Sequence, residues 1–456
     1  MTNLFDYPKT WFKTLLTCCI IGGMLLSPKT LIAQTYPPSC VVTMPYNGAY
    51  YQAGSTIDIL VYATDFGKTM NNGTIKNVQF YKDNTLLGEA VTNTNNTYKF
   101  VWKAVPAGTY TLKAKATNNK GVSFTSTNVI VTVGADKVVA YGMSAGKGKY
   151  LANIFQQRVN PSSFSDYWNG LTSENACKWG SIEPIRGVYN WGGADSAYNY
   201  AISHHMLFRY HAGLWASQYP TWLLKLSTEE AKAAVVNHLK LIAKRYPLAD
   251  QMDVLNEQLG SHQKDNQKFR ELFGGPGTKE KDFGWQIWLF EQARLILPNT
   301  KLVLNDYGLE GDRKAINSQL ELFKVLRDRG LVDGFGTQAH CFNVDKPSAD
   351  TLVAHLDLMA TAGLPIYVTE LDMNGGIRGN NVNDSLQLIS YKKSFPAFWE
   401  HPVVAGITLW GYVEGTTWIT GTGIVAKDGT ENPSMIWLKE YIKSRPNVGY
   451  PMATKN

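Results

Sequence analysis

Eight short apolar segments recur along residues 138–446, and amphipathic helical segments separate most of them. Strands that alternate with helices form parallel sheets, because each helix carries the chain back to the start of the next strand. Eight such units in about 300 residues match the size and repeat of a (β/α)8 TIM barrel. The predicted strands span residues 138–144, 171–179, 206–215, 251–257, 301–307, 334–340, 365–372 and 406–412.

Four segments between these strands have the apolar spacing of amphipathic helices, at 228–244, 283–297, 313–329 and 349–362. The first of them begins with Ser227-Thr228-Glu229-Glu230. A serine followed three residues later by a glutamate is typical of a capping box at a helix start. These helices supply the outer layer that a barrel of parallel strands requires.

The stretch before the barrel, residues 39–134, has a different pattern. Short alternating runs occur at 56–62, 78–81, 98–102 and 110–116, and turn residues such as Asp83-Asn84 and Ala107-Gly108 separate them. Strands at this spacing predict an antiparallel β-sandwich of about seven strands, with an immunoglobulin-like architecture.

Residues 1–34 have the order of a secretory signal peptide. Lys9 and Lys13 precede an apolar run, which is followed by small and polar residues ending at Gln34. This order predicts cleavage and a secreted, periplasmic or cell-surface location, without membrane attachment after cleavage. A lipoprotein anchored at Cys18 or Cys19 is the alternative, although both cysteines lie within the apolar run.

The charge and cysteine content exclude several classes of protein. The net charge is +7, but 44 basic and 37 acidic residues are interspersed, so nothing indicates a nucleic-acid partner. Cys40, Cys177 and Cys341 remain after the leader, and we expect three buried thiols. No spacing of Cys and His residues is typical of a metal site, and we expect neither a metal nor a cofactor.

The predicted barrel strands end repeatedly in polar or aromatic residues. The carboxyl ends of barrel strands build the active site in enzymes of this fold. If these residues were polar only because strand ends are exposed to solvent, we would expect two or three such positions, whereas seven strand ends carry them. These sets are Glu174-Asn175 with Lys178, His211, Asn256-Glu257, Asn305-Asp306, Gln338 with His340, Glu370 with Asp372, and Trp410.

Two carboxylates in this ring, Glu257 and Glu370, lie near the carboxyl ends of the fourth and seventh predicted strands. Glycosidic bond cleavage requires two carboxyl groups that face each other across a site. One serves as general acid or base, and the other as nucleophile or base. No glycine-rich phosphate loop or Ser/His/Asp order competes with this interpretation.

Several separated motifs resemble glycoside hydrolase family 10, the endo-β-1,4-xylanase family, along nearly all of residues 140–446. Their number and order make the resemblance specific. The matching segments are TSENACKW at 172–179, RYHAGLWASQ at 209–218, DVLNE at 253–257, LNDY at 304–307, GTQAH at 336–340, VTELD at 368–372, and TLWG at 408–411 followed by Trp418.

The resemblance implies a role for each matching residue. Glu257 corresponds to the general acid/base, Glu370 to the nucleophile, and Asn256 to the residue that binds the sugar 2-hydroxyl. Gln338 and His340 should orient Glu370. The family retains anomeric configuration, which requires carboxyl groups about 5–5.5 Å apart. The glycone-side subsites correspond to Glu174, Asn175, Lys178, His211, Trp215 and Gln218, and the aromatic walls to Trp410 and Trp418.

The chain departs from the family pattern at a few positions. Ala216 stands where the family usually has His, Met252 where it has Trp, and Cys177 where it has Met. Glu414 and Ile419 replace the Asp and Arg expected around Trp418. These changes affect the expected subsite contacts and pH dependence more than the expected reaction.

Residues 39–134 also resemble the bacterial immunoglobulin-like modules found beside secreted polysaccharidases. The matching segments include PYNG at 45–48, VQFY at 78–81 and PAGTYTL at 106–112. The resemblance implies either a spacer or stabilising domain, or a domain that binds glycan directly.

Three hypotheses for function follow. The first is an exported, monomeric, retaining endo-1,4-β-xylanase whose partner is xylan or a related β-linked polysaccharide. The second keeps the fold and mechanism but changes the polymer to another β-linked or decorated plant glycan. The third is a non-catalytic glycan-binding protein, which the presence of both Glu257 and Glu370 disfavours.

Overall fold

The computed structural model describes residues 37–65, 73–135, 142–156, 164–259, 262–377, 379 and 381–446. The predicted signal peptide, residues 1–34, lies outside these ranges. Within them, no helix combines the length and the apolar character needed to cross a lipid bilayer.

The first part of the described chain is a β-sandwich of two sheets. One sheet has the order β1-β3-β6, and the other has the order β2-β9-β7-β4-β5 with β8 beside β7. Nine strands are described, against about seven predicted, and the four quoted runs coincide with strands except for Thr56, which lies just before β3. The strands are β1 Ser39–Met44, β2 Ala49–Gln52, β3 Ile57–Thr64, β4 Ile75–Lys82, β5 Thr85–Ala90, β6 Thr97–Trp102, β7 Gly108–Asn118, β8 Ser123–Thr125 and β9 Val129–Gly134.

The sandwich core follows from the alternation of apolar and polar residues along these strands. Val61, Phe80, Leu112 and Val131 point inward and are fully buried. Strands β4 and β7 form a long antiparallel pair, whereas β2 runs parallel to β9. The predicted all-β immunoglobulin-like sandwich is thereby confirmed.

The second part is a closed barrel of eight parallel strands in sequence order, with β10 paired to β17. This confirms the predicted (β/α)8 fold. The strands are β10 Tyr150–Phe155, β11 Gly170–Ser173, β12 Leu207–Trp215, β13 Gln251–Asn256, β14 Lys301–Asp306, β15 Gly334–Thr337, β16 Ile366–Leu371 and β17 Val404–Leu409.

Helices separate the barrel strands and cover the outside. The capping box predicted at Ser227 is present, since its side chain accepts from the Glu230 backbone N–H and Glu230 accepts from the Ser227 backbone. The helices are α1 Phe164–Tyr167, α2 Trp179–Ile182, α3 Gly192–Ser203, α4 Thr228–Arg245, α5 Asn266–Gly274, α6 Gly284–Ile296, α7 Arg313–Asp328, α8 Cys341–Val344, α9 Ala349–Ala360, α10 Asp384–Glu400 and α11 Pro433–Lys443, with a 3-10 helix at Thr221–Lys225.

The first strand of the closed barrel is not the predicted segment 138–144, of which only residues 142–144 lie within the described ranges. The first strand is Tyr150–Phe155, in which all six residues are buried. Gly142 and Gly146 have φ angles of +79° and +78°, which belong to turns and not to a strand. The true strand was overlooked because Asn153 interrupts its apolar run. In the structure, the Asn153 side-chain oxygen accepts from the Gly411 backbone N–H at 3.0 Å.

The sandwich packs directly against the amino-terminal end of the barrel strands. Tyr150, Leu207 and Tyr367, near the starts of three barrel strands, belong to the same buried cluster as the sandwich core. Thr64 Oγ1 donates to the Gly363 carbonyl at 2.8 Å across the boundary. The opposite, carboxyl-terminal end of the barrel lies away from this contact.

The three cysteines of the described chain are buried, unpaired thiols, as predicted. Burial raises the pKa of Cys40 and Cys177 to about 12. Thiols of this kind are structural and poorly reactive.

Candidate active site

A cleft of about 650 Å³ opens at the carboxyl ends of the barrel strands. Twelve of the thirteen residues predicted for the site line it. The backbone explains why they converge: the Glu257 N–H donates to the Asn305 carbonyl at 2.9 Å, and the Glu370 N–H donates to the Gln338 carbonyl at 2.9 Å. The lining residues are Glu174, Asn175, Lys178, His211, Trp215, Gln218, Glu257, Gln263, Tyr307, Gln338, His340, Phe342, Glu370, Trp410 and Trp418.

Asn256 is the predicted site residue that does not line the cleft. It ends strand β13 and is 1% exposed. Its Nδ2 lies 3.2 Å from Glu257 Oε1, and its Oδ1 accepts from Asn305 Nδ2 at 2.8 Å. Asn305 Nδ2 also lies 2.9 Å from Glu370 Oε1. Two buried amides therefore connect the two carboxylates.

Glu257 follows β13 with a φ angle of +54°, a left-handed conformation that is costly for a residue with a side chain. Burial raises the pKa of its carboxyl, and the negative charge of Glu370 adds to this effect. Gln338 Nε2 donates to Oε1 at 2.8 Å, which acts in the opposite direction on the pKa. Trp215 Nε1 donates to Oε2 at 3.0 Å, and Gln263 donates to the same oxygen.

Glu370 lies within strand β16 near its carboxyl end and has the opposite electrostatic character. Burial alone would raise its pKa, but the charges of His211, His340 and Arg209 and a hydrogen bond from His340 lower the pKa to about 2. His340 Nε2 lies 3.5 Å from Glu370 Oε2, and His211 Nδ1 lies 4.0 Å from Oε1. The site thus holds one carboxyl that favours its proton and one that favours its charge.

Two aspartates behind the cleft fix the basic side chains that surround Glu370. Asp253 Oδ2 accepts from Arg209 at 2.9 Å and contacts His211 Nδ1 at 2.8 Å. Asp253 therefore holds both basic side chains in place from behind the cleft.

Asp372 holds the other histidine in the same way. Its Oδ2 contacts His340 Nδ1 and accepts from Trp418 Nε1, each at 2.8 Å. Although burial lowers the pKa of His340, the charges of Asp372 and Glu370 raise it to about 10. His340 is therefore a cation beside the Glu370 carboxylate.

The side chains predicted for the glycone side form one wall of the cleft. Glu174, Asn175 and Lys178 follow β11, which ends at Ser173, so they lie on a loop and not on the predicted strand. Lys178 Nζ donates to Asn175 Oδ1 at 2.8 Å and lies 4.7 Å from the centre of the Trp215 ring. These contacts present several polar groups and one aromatic face to the same space.

Two tryptophans close the cleft from the β17 side. Trp410 packs against His211 in a T-shaped contact, with ring centres 5.3 Å apart. Trp418 is 50% exposed and lies against His340, with ring centres 4.6 Å apart. An exposed tryptophan beside polar side chains is a typical surface for stacking on a sugar ring.

Three residues of the cleft were not predicted. Tyr307 belongs to the LNDY motif, so the sequence contained a signal for it. Gln263 and Phe342 lie beyond strand ends, where no local pattern indicates which way a side chain points.

Three of the five departures from the family pattern lie behind the cleft. Ala216, Met252 and Cys177 are buried in the barrel core and do not line the cleft. The Met252 Cε atom lies 2.5 Å from the position that a Cβ would take at Gly213, so this methionine fills space left by a glycine. Among the described residues, no cluster of three His, Cys, Asp or Glu side chains could hold a metal ion.

A TIM barrel with two carboxyl groups of opposite pKa shift in one cleft defines the class of barrel glycoside hydrolases. The model of glycosyl hydrolase family 10 matches residues 134–444, and the chain therefore belongs to that family. The model of a bacterial Ig domain matches residues 38–114.

Individual proteins also resemble the chain. Endo-1,4-beta-xylanase B of Cellvibrio japonicus (strain Ueda107) is 36% identical over 292 residues, which are 64% of this chain and 45% of that protein. An exoglucanase of Acetivibrio thermocellus is 30% identical over 293 residues, covering 58% of this chain and 26% of that protein. The chain thus spans less than half the length of either relative.

A solved structure of a family 10 protein from Paenibacillus barcinonensis superposes with a TM-score of 0.58. It is 24% identical and covers 68% of this chain and 100% of that chain. This similarity agrees with the barrel fold.

Proposed function

We propose that the protein is a retaining endo-1,4-β-xylanase that cleaves internal bonds of xylan by double displacement. The observation that carries the proposal is the pairing in one cleft of Glu257, whose pKa is raised, with Glu370, whose pKa is about 2. The name of the Cellvibrio relative, an endo-1,4-beta-xylanase, supports xylan as the substrate.

In the first step the Glu370 carboxylate attacks the anomeric carbon of the sugar in the glycone subsite. The bond to the leaving oxygen breaks, and the proton of Glu257 passes to that oxygen. Burial and the neighbouring Glu370 charge keep Glu257 protonated until this transfer, whereas the surrounding cations keep Glu370 ionised. The products of the step are a glycosyl ester of Glu370 and a shortened chain.

In the second step Glu257 is a carboxylate and removes a proton from water. The water oxygen then bonds to the anomeric carbon, and Glu370 leaves as a carboxylate. Once Glu370 is esterified its negative charge is gone, so the pKa of Glu257 falls as a base requires. The N–H donors of Gln338, Gln263 and Trp215 stabilise the Glu257 carboxylate in this half of the cycle.

The other predicted site residues bind the chain. We assign Glu174, Asn175 and Lys178 to the sugars on the glycone side, together with His211 and Gln218. Trp215, Trp410 and Trp418 supply apolar faces on which sugar rings stack. Asn256 reaches the sugar 2-hydroxyl only by exchanging its present contact with Glu257.

Substitution of the two carboxylates tests the mechanism. Glu257→Ala should lower kcat on xylan by about 10²–10⁴-fold, as expected for loss of a general acid/base. Glu370→Ala should abolish turnover, and azide should restore part of it as a small external nucleophile. Glu271→Ala, which removes an exposed carboxylate from α5, is the control and should leave kcat unchanged. Unchanged hydrolysis by either cleft variant would overturn the mechanism.

A different β-linked polymer is the second candidate, because a relative with 30% identity is named an exoglucanase. Product profiles on xylan, arabinoxylan and mixed-linkage glucan would separate the two. We expect xylo-oligosaccharides of several lengths from xylan, and release of glucose or cellobiose alone would favour the second candidate. A non-catalytic glycan-binding protein would yield no products from any polymer.

We further propose that residues 1–34 direct export and are removed, and that the mature protein acts outside the cytoplasm as a monomer. The match to a bacterial Ig domain supports this location. We assign 39–134 to a stabilising domain and 138–446 to the catalytic domain. Peptide mapping of the exported protein would place the new amino terminus, and a first residue near Thr35 is expected.

A further inference from the structure

A second cavity lies at the amino-terminal end of the barrel, where the sandwich packs against it, and we call it the interdomain cavity. Its volume of about 550 Å³ is within the range of about 300–1,000 Å³ found for pockets that bind small ligands. Leu60 of β3 and Thr97 of β6 lie on its sandwich side. Pro365 and Val404, at the starts of β16 and β17, lie on its barrel side. The interdomain cavity is therefore at the opposite end of the barrel from the active-site cleft.

Positive charge predominates in the wall of the interdomain cavity. The four basic side chains and the one carboxylate that line it are Lys99, Lys147, Lys149, Arg445 and Glu400. Lys99 forms an ion pair with Asp58, and Arg445 Nη1 lies 2.8 Å from Glu400 Oε1. Within the described part of the chain, Lys147 and Lys149 form no ion pair.

Each of these two lysines donates to a backbone carbonyl at the end of a helix. Lys149 Nζ donates to the carbonyl of His401, which follows α10, at 2.6 Å. Lys147 Nζ donates to the carbonyl of Arg445, which follows α11. Because an ammonium group has three N–H donors, each lysine has donors left for a ligand. Lys147 is only 7% exposed, which limits the water that can solvate its charge.

The protein does not compensate the charge of Lys149. A buried charge normally has a partner of opposite charge, because it is costly to remove from water. Burial lowers the pKa of Lys149 to about 7, although the charge of Glu400 acts in the opposite direction. A bound anion would supply the missing negative charge.

The rest of the interdomain cavity suits a sugar better than a small inorganic anion. Trp399 and Val403, which are 5% and 8% exposed, form an apolar floor. The side chains of Thr94, Asn95 and Thr97 line the sandwich side and make no hydrogen bond with other described residues. A sugar acid has a carboxylate for the lysines, C–H groups for the floor, and hydroxyl groups for the threonines and the asparagine. An inorganic anion would contact the ammonium groups and leave the floor uncovered.

We propose that the interdomain cavity binds a uronic acid unit of an acidic polysaccharide, with its carboxylate held by Lys147 and Lys149. Hydrogen bonds from ammonium groups to a carboxylate are charge-assisted and therefore strong. The site needs both parts of the molecule, since the lysines precede β10 and Thr97 belongs to the sandwich. The sandwich thus binds a ligand in addition to stabilising the barrel. This binding goes beyond the proposed function and involves neither Glu257 nor Glu370.

Calorimetry on the full chain with three small probes tests the chemistry of the ligand. Glucuronate should bind, and its affinity should fall as salt is added. Glucose, which has a similar ring without the charge, should not bind detectably, and inorganic phosphate should bind more weakly than glucuronate. Binding of glucose as tight as that of glucuronate would overturn the proposal, as would binding of phosphate that is equal or tighter.

Substitutions test the place of binding. Lys147→Gln and Lys149→Gln remove a charge but keep a donor for the carbonyl at the helix end. Each should weaken glucuronate binding by roughly ten- to a hundredfold, as expected when a hydrogen bond to a charged group is lost. Asn95→Ala changes only an exposed side chain of the sandwich and should weaken binding by roughly three- to tenfold. Lys281→Gln, at an exposed lysine paired with Glu321, is the matched control and should leave the affinity unchanged.

Hydrolysis of linear xylan separates this proposal from the proposed function. All four variants should keep the wild-type kcat, because the interdomain cavity lies away from the cleft. If glucuronate binds and the lysine variants weaken it, but xylan is not hydrolysed, the proposed function fails and the interdomain site stands. If xylan is hydrolysed but glucuronate does not bind, or binds equally well to both lysine variants, the interdomain site is refuted and the proposed function stands.

Discussion

Asp250 connects the two parts of the molecule at the amino-terminal end of the barrel. Its Oδ1 lies 2.9 Å from Lys301 Nζ and accepts from the backbone N–H of Asn47, in the sandwich, at 2.5 Å. The side chains of Asp250 and Lys301 are only 1% and 2% exposed. The buried Asp250 carboxylate therefore forms an ion pair with the buried Lys301 ammonium and also accepts a hydrogen bond from the sandwich.

Asp250→Ala removes the carboxylate and leaves the Lys301 ammonium buried without a counter-ion. Breaking a buried ion pair from one side costs about 3–5 kcal/mol, because the remaining charge stays out of water. The unpaired Asn47 N–H adds to this cost at the upper end of that range. We expect Asp250→Ala to lower the free energy of unfolding by about 3–5 kcal/mol.

Removing both charges should largely reverse the effect. Asp250→Leu combined with Lys301→Met replaces the pair by apolar groups, which is often neutral or stabilising at buried sites. Most of the stability should therefore return. A double variant as unstable as the single one would mean that the loss comes from the Asn47 contact or from packing.

Urea unfolding followed by tryptophan fluorescence measures these changes, provided that the slope with urea stays the same among the variants. Lys281→Ala is the matched control, because its pair with Glu321 has the same 2.9 Å length but side chains 75% and 45% exposed. That pair should contribute about 0–1 kcal/mol. If Asp250→Ala costs no more than Lys281→Ala, the account of this interface is refuted.

Two further predictions concern the active site and a helix. Gln338→Ala removes a donor that lowers the pKa of Glu257, so the pKa should rise and the alkaline limb of kcat/KM on xylan should move to higher pH. Activity is present below the Glu257 pKa and falls as pH rises through it, whereas the acidic limb should lie near the Glu370 pKa of about 2. An alkaline limb that moves to lower pH in Gln338→Ala would contradict the assignment of Glu257 as the acid. Ser227→Ala removes the cap of α4 and should lower the free energy of unfolding, measured in urea, by about 0.5–2 kcal/mol, whereas Ser227→Asn should lower it little. Equal losses of stability in the two variants would argue against the cap.

The sequence was most informative where function and periodicity coincide. Polar residues at the ends of apolar strands predicted the cleft, because parallel barrel strands bring their carboxyl ends together. The first strand was misplaced because glycine-containing apolar residues near 142 resemble a strand as closely as the segment containing Asn153 does. Periodicity alone cannot choose between two short apolar runs.

Contacts that depend on the path of a loop or on domain packing were not predictable. Gln263 and Phe342 enter the cleft only because of how the chain turns after β13 and β15. The bond between Asn47 and Asp250 joins residues 203 positions apart. No local pattern specifies such a contact, since it depends on how two finished surfaces fit together.

The sequence predicted which carboxyl group is protonated and which is ionised, but not the side chains that cause the difference. Two facing carboxyls imply that one must hold a proton and the other a charge. The structure identifies the groups responsible: His340 is held by Asp372, and Arg209 by Asp253. Arg209 and Asp253 lie on neighbouring strands, and His340 and Asp372 follow neighbouring strands, whose register could not be read from the sequence.

The configuration of the first product tests the central claim most directly. Proton NMR of a xylo-oligosaccharide digest, recorded in the first minutes before the anomers equilibrate, reports the configuration of the newly formed reducing end. Double displacement through Glu370 predicts that the β-anomer appears first and the α-anomer grows only by mutarotation. Initial appearance of the α-anomer would show a single displacement and would contradict the assignment of Glu370 as the nucleophile.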